Sequence, residues 1–294
     1  MSNPDDHTTR RTPPPPAAGV RFLDRGEGRV AYDIEVPADG PADPGRAPLV
    51  VCLPGMGDLR RLYRHNVESL LAAGYRVATM DLRGHGDSDT TFERYDDFAA
   101  ASDIVALIGE LGGPALLYGN SMCAAASIVA AADRPDLVAG LVLAGPFVRD
   151  QPTSKAAQLL LRVALSRPWG LSTWLAYYTK SHPGRHPADL DQHKQALKAS
   201  LRRARSWRAF QKTVRQTTHA AIERRLDDVK APALVVMGTR DPDFKDPVAE
   251  GKFVADHLGA ELLLVDGAGH YAMAEYPEIV NPRVVSFAAT VFGA

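Results

Sequence analysis

Six short apolar runs alternate with longer helical segments, and this alternation constrains the fold of the 294-residue chain more than any other feature. The runs contain little polar alternation, which is typical of strands buried on both faces of a parallel sheet. Together with the helical segments, they predict an α/β fold: a mostly parallel sheet covered by helices on both faces. The apolar runs are Leu49–Leu53, Tyr75–Met80, Ala115–Tyr118, Val138–Ala144, Ala233–Met237 and Glu261–Val265. The helical segments are Leu59–Ala73, Phe98–Leu111, Ser121–Asp133, Pro247–Leu258 and Pro277–Phe292.

The N-terminal part of the chain predicts a disordered arm followed by a hairpin. Residues 1–17 are polar and proline-rich, so they bury too little apolar surface to fold. Two strands, Gly19–Asp24 and Arg29–Val36, are predicted around the turn sequence Gly26-Glu27-Gly28. The first residues lack the apolar core of a secretory signal, and a cytoplasmic location is the simplest interpretation. The two cysteines have no Cys-x-x-Cys spacing, so we expect neither a disulfide framework nor a metal site.

Residues 147–230 interrupt the alternation, because they contain helical stretches and no convincing strand. This segment carries 17 Lys and Arg against 6 Asp and Glu, or +11, whereas the whole chain has a net charge of −1. We interpret it as a helical cap on a core formed by residues 18–146 and 231–294. The near-neutral net charge of the whole chain predicts no nucleic-acid or membrane partner. The predicted cap helices are Thr153–Leu165, Gly170–Thr179, Leu190–Thr218 with or without a break, and Ala220–Leu226.

A candidate nucleophile lies in the sequence Gly119-Asn120-Ser121-Met122-Cys123, between a predicted strand and an alanine-rich helix. This strand–turn–helix context is typical of a nucleophile elbow, whose strained central residue presents its side chain above the sheet. Ser121 is at the apex and is the favoured nucleophile. Cys123 lies in the first helical turn, where a thiol can act as a small buried group, although a helix N-terminus can also activate it. An ordinary turn with a capping serine is the alternative interpretation.

A serine nucleophile needs a base and an orienting carboxylate, and two later loops supply both residue types. His270 follows the last predicted strand on the glycine-rich loop Gly267-Ala268-Gly269. Asp241 is the first carboxylate after the preceding strand, and the order Ser…Asp…His is that of elbow-type hydrolases. The alternative acids are Asp243, Asp246 and, further away, Asp150.

Backbone amides would stabilise the negative oxygen, or oxyanion, that forms when a serine attacks an acyl carbonyl. The amide after the nucleophile, here of Met122, is the usual first donor. The second comes from a loop after an earlier strand, and in Leu53-Pro54-Gly55-Met56-Gly57-Asp58 we favour the N–H of Met56. The glycines of this loop allow the backbone to approach a substrate closely.

The chain resembles the α/β-hydrolase fold superfamily over residues 18–294. Besides the elbow, Asp81-Leu82-Arg83-Gly84-His85-Gly86-Asp87-Ser88 resembles the D-x-R-G-x-G-x-S loop of this superfamily, and the loops of His270 and Asp241 resemble its histidine and acid loops. The resemblance implies an eight-strand-type sheet, a helical cap after the sixth strand and chemistry without a cofactor or metal. The chain departs from the common pattern at Pro54, where many relatives have histidine, and at Cys123, where glycine is usual.

These observations predict a serine hydrolase that acts on a small-molecule acyl substrate, with a carboxylic ester as the first choice. A serine at the elbow disfavours the dehalogenases and epoxide hydrolases of this fold, which use aspartate. A thioester or carbon–carbon bond hydrolase, or a receptor with little turnover, remains an alternative. Four aromatic residues are candidate substrate contacts, with plain packing as the alternative: Trp174, Tyr178, Trp207 and Tyr271.

Overall fold

The computed structural model describes residues 19–38, 44–150 and 155–293, so the predicted arm at residues 1–17 lies outside the described residues. Eight strands form one sheet, as the sequence predicts, and each begins and ends within two residues of its predicted bounds. The strands are β1 (Arg21–Asp24), β2 (Arg29–Glu35), β3 (Leu49–Leu53), β4 (Arg76–Met80), β5 (Ala115–Asn120), β6 (Val138–Ala144), β7 (Ala233–Gly238) and β8 (Glu261–Val265).

The sheet has the order β1-β2-β4-β3-β5-β6-β7-β8. The β1–β2 and β2–β4 pairs are antiparallel, and the remaining five pairs are parallel. All parallel strands therefore end at the same edge, which is where open α/β sheets place their functional sites. The mostly parallel α/β sheet that the sequence predicts is confirmed.

Ten helices accompany the sheet in the described residues. They are α1 (Val67–Ala72), α2 (Asp97–Leu111), α3 (Met122–Asp133), α4 (Lys155–Ala164), α5 (Gly170–Lys180), α6 (Leu190–Arg202), α7 (Ser206–Gln216), α8 (Pro247–Leu258), α9 (Ala272–Glu275) and α10 (Pro277–Phe292). Short 3-10 helices cover Pro44–Arg46, Arg60–His65 and Glu223–Asp228. Within these ranges, none of the helices combines the length and the apolar character that crossing a bilayer requires.

Two apolar layers cover the two faces of the sheet. Alternate residues of β3 point to opposite layers: Val51 packs with α2, α3 and α8, whereas Val50 packs with α1, α9 and α10. All five β3 side chains are buried, which explains why this strand lacks polar alternation.

The structure divides two of the predicted helical segments and shows a third as a 3-10 helix. The segment predicted as one helix, Leu59–Ala73, is a 3-10 helix followed by α1, and the two meet at Asn66. The amide of Asn66 donates to the carbonyl oxygen of Met273 and to Asn281 Oδ1, and these distant partners hold the junction. The expected helix Leu190–Thr218 is broken between α6 and α7, where Arg205 has φ 70°. The helical stretch predicted at Ala220–Leu226 is a 3-10 helix at Glu223–Asp228.

The described part of residues 147–230 contains the helices α4 to α7 and no strand. We call α4–α7 the cap helices. They leave the sheet after β6 and return to it at β7, which agrees with an insertion after the sixth strand. The exact limits of the core and the cap remain predictions.

Candidate active site

Ser121 occupies a strained turn between β5 and α3. Its backbone has φ 57° and ψ −124°, a conformation that costs a non-glycine residue on the order of 1–3 kcal/mol. Strand and helix nearly touch at this turn, because a Cβ atom on Gly119 would lie 2.5 Å from the carbonyl oxygen of Cys123. Such strain persists only where the surrounding structure holds it, and it is common at functional sites. The geometry is that of a nucleophile elbow with Ser121 at its apex.

Cys123, the other candidate nucleophile, is completely buried on the first turn of α3. Burial raises the pKa of its thiol far above the usual value, and the nearby charges of Asp97 and Asp103 act in the same direction. A thiol that stays protonated and has no solvent contact is a poor nucleophile. In this environment Cys123 is a small apolar packing group.

His270 and Asp241 form a buried pair at the ends of β8 and β7. His270 Nδ1 lies 2.8 Å from Asp241 Oδ2 and 3.3 Å from Asp243 Oδ2. Burial of the imidazole acts to lower its pKa, but the charges of the two carboxylates outweigh burial and raise the pKa to about 9. Because Nδ1 faces the acids, Nε2 is the nitrogen left for proton transfer with another group.

The end of β6 brings the loops of Ser121 and His270 together. The backbone N–H of Ser121 donates to the carbonyl oxygen of Ala144 at 2.9 Å. The side-chain amide of Asn120 donates to the same oxygen at 3.2 Å and to the carbonyl oxygen of His270 at 3.3 Å. Gly145 follows this strand with φ 52°, which favours glycine, and a Cβ atom on it would lie only 3.0 Å from His270 Nδ1. Serine, histidine and aspartate therefore converge on the edge where the parallel strands end.

The predicted oxyanion loop passes directly over the elbow. A Cβ atom on Gly55 would lie 2.7 Å from the Cβ and 3.3 Å from the Oγ of Ser121, so this loop can approach the serine only because residue 55 is glycine. Met56 follows Gly55, and a turn closed by the Asp58 N–H and the Gly55 carbonyl oxygen holds it. Met122 is the first residue of α3, where backbone N–H groups have no partner within the helix.

The alternative acids have other partners. Asp246 caps α8 by accepting a hydrogen bond from the Ala249 N–H at 3.0 Å. Asp150 accepts hydrogen bonds from the backbone N–H of His219 and from the Thr218 hydroxyl. Asp243 alone of the alternatives reaches His270, and its N–H donates to Asp241 Oδ1. Of the four candidate acids, Asp241 therefore lies nearest to His270 Nδ1, with Asp243 as a second charge beside it.

The four predicted substrate contacts are placed differently from one another. Trp174 on α5 donates from Nε1 to the carbonyl oxygen of Gly57, and Tyr178 on the same helix donates to Asp58. Trp207 is buried among cap residues, with its ring 5.1 Å from that of Phe210. Tyr271 is buried next to His270 and packs 4.9 Å from the Tyr178 ring. A direct contact of any of the four with a substrate remains a prediction.

Three buried polar residues near the site were missed from the sequence: Asp58, His193 and Glu275. Asp58 and His193 form a 2.6 Å pair between the oxyanion loop and α6. Glu275 accepts hydrogen bonds from the N–H groups of Gly269 at 2.7 Å and Gly184 at 2.9 Å, so it holds the loop that carries His270. No spacing in the sequence identifies His193, because its partner lies 135 residues away.

One group of side chains in the described ranges has metal-ligating atoms within 4.8 Å of one another: Asp241, Asp243 and His270. Two carboxylates and an imidazole could hold a divalent cation. Here the same atoms form the histidine–carboxylate contacts described above, which account for their proximity.

A cleft of about 790 Å³ is lined by none of the three candidate catalytic residues. It runs between the 3-10 helix Arg60–His65 and α6. Among its charged residues, Arg60 pairs with Asp33 and Asp87. We assign it no role in the chemistry.

Comparisons with known proteins identify the family and the shared fold. Residues 45–277 match the family model described as serine aminopeptidase, S33. The chain is 30% identical to a 2-hydroxy-6-oxononadienedioate/2-hydroxy-6-oxononatrienedioate hydrolase of Burkholderia vietnamiensis, over 76% of this chain and 80% of that protein. It is 27% identical to a pimeloyl-[acyl-carrier protein] methyl ester esterase of Neisseria meningitidis, over 73% of this chain and 85% of that protein. The crystal structure of a bromoperoxidase from Bacillus anthracis shares the fold, with a TM-score of 0.78, 18% identity and coverage of 92% and 99% of the two chains.

Proposed function

This chain belongs to the serine aminopeptidase S33 family of α/β hydrolases, and we propose that it cleaves a carboxylic ester through an acyl-enzyme on Ser121. The observation that carries the proposal is the convergence of a strained serine with a buried histidine–aspartate pair at one edge of the sheet. Serine alone is a weak nucleophile at neutral pH, and in our proposal His270 is the base that activates it.

In the proposed reaction, His270 Nε2 takes the hydroxyl proton as Ser121 Oγ attacks the acyl carbonyl carbon. Asp241 holds Nδ1–H and stabilises the imidazolium that forms. The tetrahedral intermediate then expels the alcohol, which receives the proton from His270 and leaves an ester on Ser121. Water, deprotonated by His270, attacks this ester and releases the carboxylic acid and the free serine.

The oxyanion of both tetrahedral intermediates would accept hydrogen bonds from the N–H groups of Met122 and Met56. Such a donor lowers the activation barrier by about 2.7–4 kcal/mol when it is aimed at the developing charge. Support for this assignment comes from Gly55, which brings the loop of Met56 against Ser121, and from the position of Met122 at the start of α3.

A small-molecule ester is the substrate class that we favour. One relative is named as a methyl ester esterase, and the family is one of hydrolases. A second candidate, cleavage of a carbon–carbon bond in an oxo-dienedioate, is favoured by the relative named as a hydrolase of such a compound. Both reactions use a serine, a histidine and an oxyanion hole, so the site alone does not separate them.

The test is to label the protein with a fluorophosphonate and to map the adduct by mass spectrometry. We expect the adduct on Ser121 and none on Cys123. Turnover is then compared for p-nitrophenyl esters of two to eight carbons, an acyl thioester and a 2-hydroxy-6-oxo-dienoate, with Ser121→Ala as the inactive variant and Cys123→Ala as the matched control. Full activity in Ser121→Ala, or an adduct on Cys123, would refute the mechanism. Labelling without turnover of any substrate would favour the receptor alternative.

A further inference from the structure

Helix α5 contacts the oxyanion loop through two side chains one helical turn apart. Trp174 Nε1 donates to the carbonyl oxygen of Gly57 at 3.2 Å, and the Tyr178 hydroxyl donates to Asp58 Oδ2 at 3.0 Å. Residues four apart lie on the same face of a helix, so one face of α5 contacts two consecutive loop residues. A Cβ atom on Gly57 would overlap the Trp174 ring, so the helix and the loop are in direct contact there.

Asp58 is the centre of this contact. Its carboxylate is fully buried and accepts hydrogen bonds from the Leu59 N–H at 2.7 Å, from the Tyr178 hydroxyl and from His193 Nε2 at 2.6 Å. Burial alone would raise the pKa of Asp58, but the contacts with His193 and the hydrogen bonds lower it below its usual value. A buried carboxylate with three donors is stable as an anion and has little freedom to move.

His193 and Tyr178 are held from the other side. Arg64 Nη1 lies 3.4 Å from His193 Nδ1 and can donate to it, so the imidazole can donate from Nε2 to Asp58. The Tyr178 ring packs 5.7 Å from the His193 ring and 4.9 Å from the ring of Tyr271, the neighbour of His270. The carbonyl oxygen of Ser181, just after α5, accepts a hydrogen bond from the His270 N–H at 3.0 Å. The same part of the cap therefore supports both the oxyanion loop and the histidine loop.

Asp58 is two residues from the proposed oxyanion donor Met56, within the turn closed by the Asp58 N–H and the Gly55 carbonyl oxygen. Movement of Asp58 would thus displace the N–H of Met56 relative to Ser121. A donor of this kind must lie within a few tenths of an ångström of its position, since a misplacement of about 1 Å can cost about 100-fold in rate.

We propose that Tyr178 and His193 are positioning residues, which act through Asp58 to fix the Met56 N–H for the oxyanion. This inference rests on the proposed function. It assigns to the cap a role in the rate of the chemical step, in addition to any role in covering the substrate.

Tyr178→Phe tests the inference, because it removes one hydroxyl and keeps the ring contacts. We expect kcat to fall about tenfold while KM stays within about twofold, because the lost hydrogen bond matters only when charge develops on the oxyanion. Binding of a trifluoromethyl ketone, whose adduct with Ser121 carries an oxyanion, should weaken by the same factor as kcat/KM. Tyr177→Phe is the matched control, since Tyr177 is the exposed neighbour on α5 and should change neither quantity.

A second variant, Asp58→Asn, removes the charge and keeps the shape of the side chain. If Asp58 and Tyr178 act through one hydrogen bond, kcat of the double variant with Asp58→Asn and Tyr178→Phe should be no lower than that of Asp58→Asn alone. His193→Gln should lower kcat in the same direction, which keeps the test valid if either of the other variants folds poorly. Urea unfolding of each variant reports its stability separately.

The inference is wrong if Tyr178→Phe only lowers stability, with kcat and ketone binding unchanged. It is also wrong if KM alone rises, because that result would make Tyr178 a substrate contact. Fluorophosphonate labelling of the unaltered protein separates the two proposals. Absence of label on Ser121 would refute the proposed function and the positioning role together. Label on Ser121, with kcat and ketone binding unchanged in the variants, would refute only the positioning role.

Discussion

Two buried histidine–carboxylate pairs in this protein have nearly the same geometry and different surroundings. His270 and Asp241 are 2.8 Å apart, and His193 and Asp58 are 2.6 Å apart. The first pair lies beside the strained elbow of Ser121. The second lies between the oxyanion loop and α6, with Arg64 and Tyr178 as its neighbours. A buried pair is therefore not a catalytic site by itself, and the proposed nucleophile beside the first pair distinguishes it from the second.

The two pairs also differ in the number of charges that face them. Two carboxylates face His270 and raise its pKa to about 9 despite burial, whereas Asp58 has several donors and a lowered pKa. Perturbed pKa values occur at both places, which shows that a perturbed pKa indicates a candidate site without proving one.

The largest loss of activity is expected from Ser121→Ala, which removes the proposed nucleophile beside the pair of His270 and Asp241. We expect kcat to fall by about 10⁴–10⁶-fold, because the histidine and the acid act only through the serine. Ester turnover under saturating substrate is the measurement. Cys123→Ala should keep activity within a few-fold, and a loss there as large as in Ser121→Ala would contradict the difference between the serine and the thiol.

The next largest loss of activity is expected from the first of the two paired acids, Asp241, in comparison with Asp58. Asp241→Asn should lower kcat by about 10²–10⁴-fold, because the imidazole loses the acceptor that sets its tautomer and the charge that stabilises its cation. Asp58→Asn should lower kcat only about tenfold, since it acts through the position of a loop. Equal losses in the two variants, measured with the same ester, would show that the pairs do not differ in function.

The pH dependence of kcat/KM should identify His270 as the base. Because its pKa is about 9 in the folded protein, kcat/KM should rise with pH through a midpoint near pH 9 and level off only above that pH. Asp243→Asn removes one of the two charges that raise this pKa and should move the midpoint to lower pH, whereas Asp58→Asn should move it less. A midpoint near pH 6.5 in the unaltered protein would contradict the raised pKa of His270.

The raised pKa of His270 also predicts how the free energy of unfolding depends on pH. A histidine with a raised pKa stabilises the folded protein fully below its ordinary value of 6.5, and this contribution is lost as pH rises through about 9. In urea unfolding, Asp241→Asn should therefore flatten the stability profile between these two pH values.

The smallest effect is expected at Glu275, a buried carboxylate without a histidine partner. Burial raises its pKa to about 7, although the N–H groups of Gly269 and Gly184 partly oppose the shift. The folded state thus binds this proton more tightly than the unfolded state, so stability falls as pH rises from about 4.5 to about 7. Glu275→Gln should remove this part of the pH dependence of the urea midpoint. An unchanged profile would show that Glu275 does not titrate in this range.

The elements that the sequence predicted best are those with local causes. The buried strands were recognised because apolar runs such as Leu49–Leu53 have to be covered on both faces. The helix predicted at Leu59–Ala73 was wrong as a continuous element, because Asn66 is held by Met273 and Asn281, which are more than 200 residues away in the chain. The cap aromatics were predicted as substrate contacts from composition alone, and the structure places Trp174 and Tyr178 against the oxyanion loop.

The sequence by itself determined the α/β class, the strained serine turn and the order of serine, aspartate and histidine along the chain. These features follow from local patterns: apolar runs, small residues on both sides of a tight turn, and polar residues directly after strands. Only the tertiary structure decided which of the other histidines meet carboxylates. His193 and Asp58, like His219 and Asp97, are far apart in the chain and share no spacing rule. Their pairing depends on how the cap helices pack on the sheet, and that packing is a property of the whole fold.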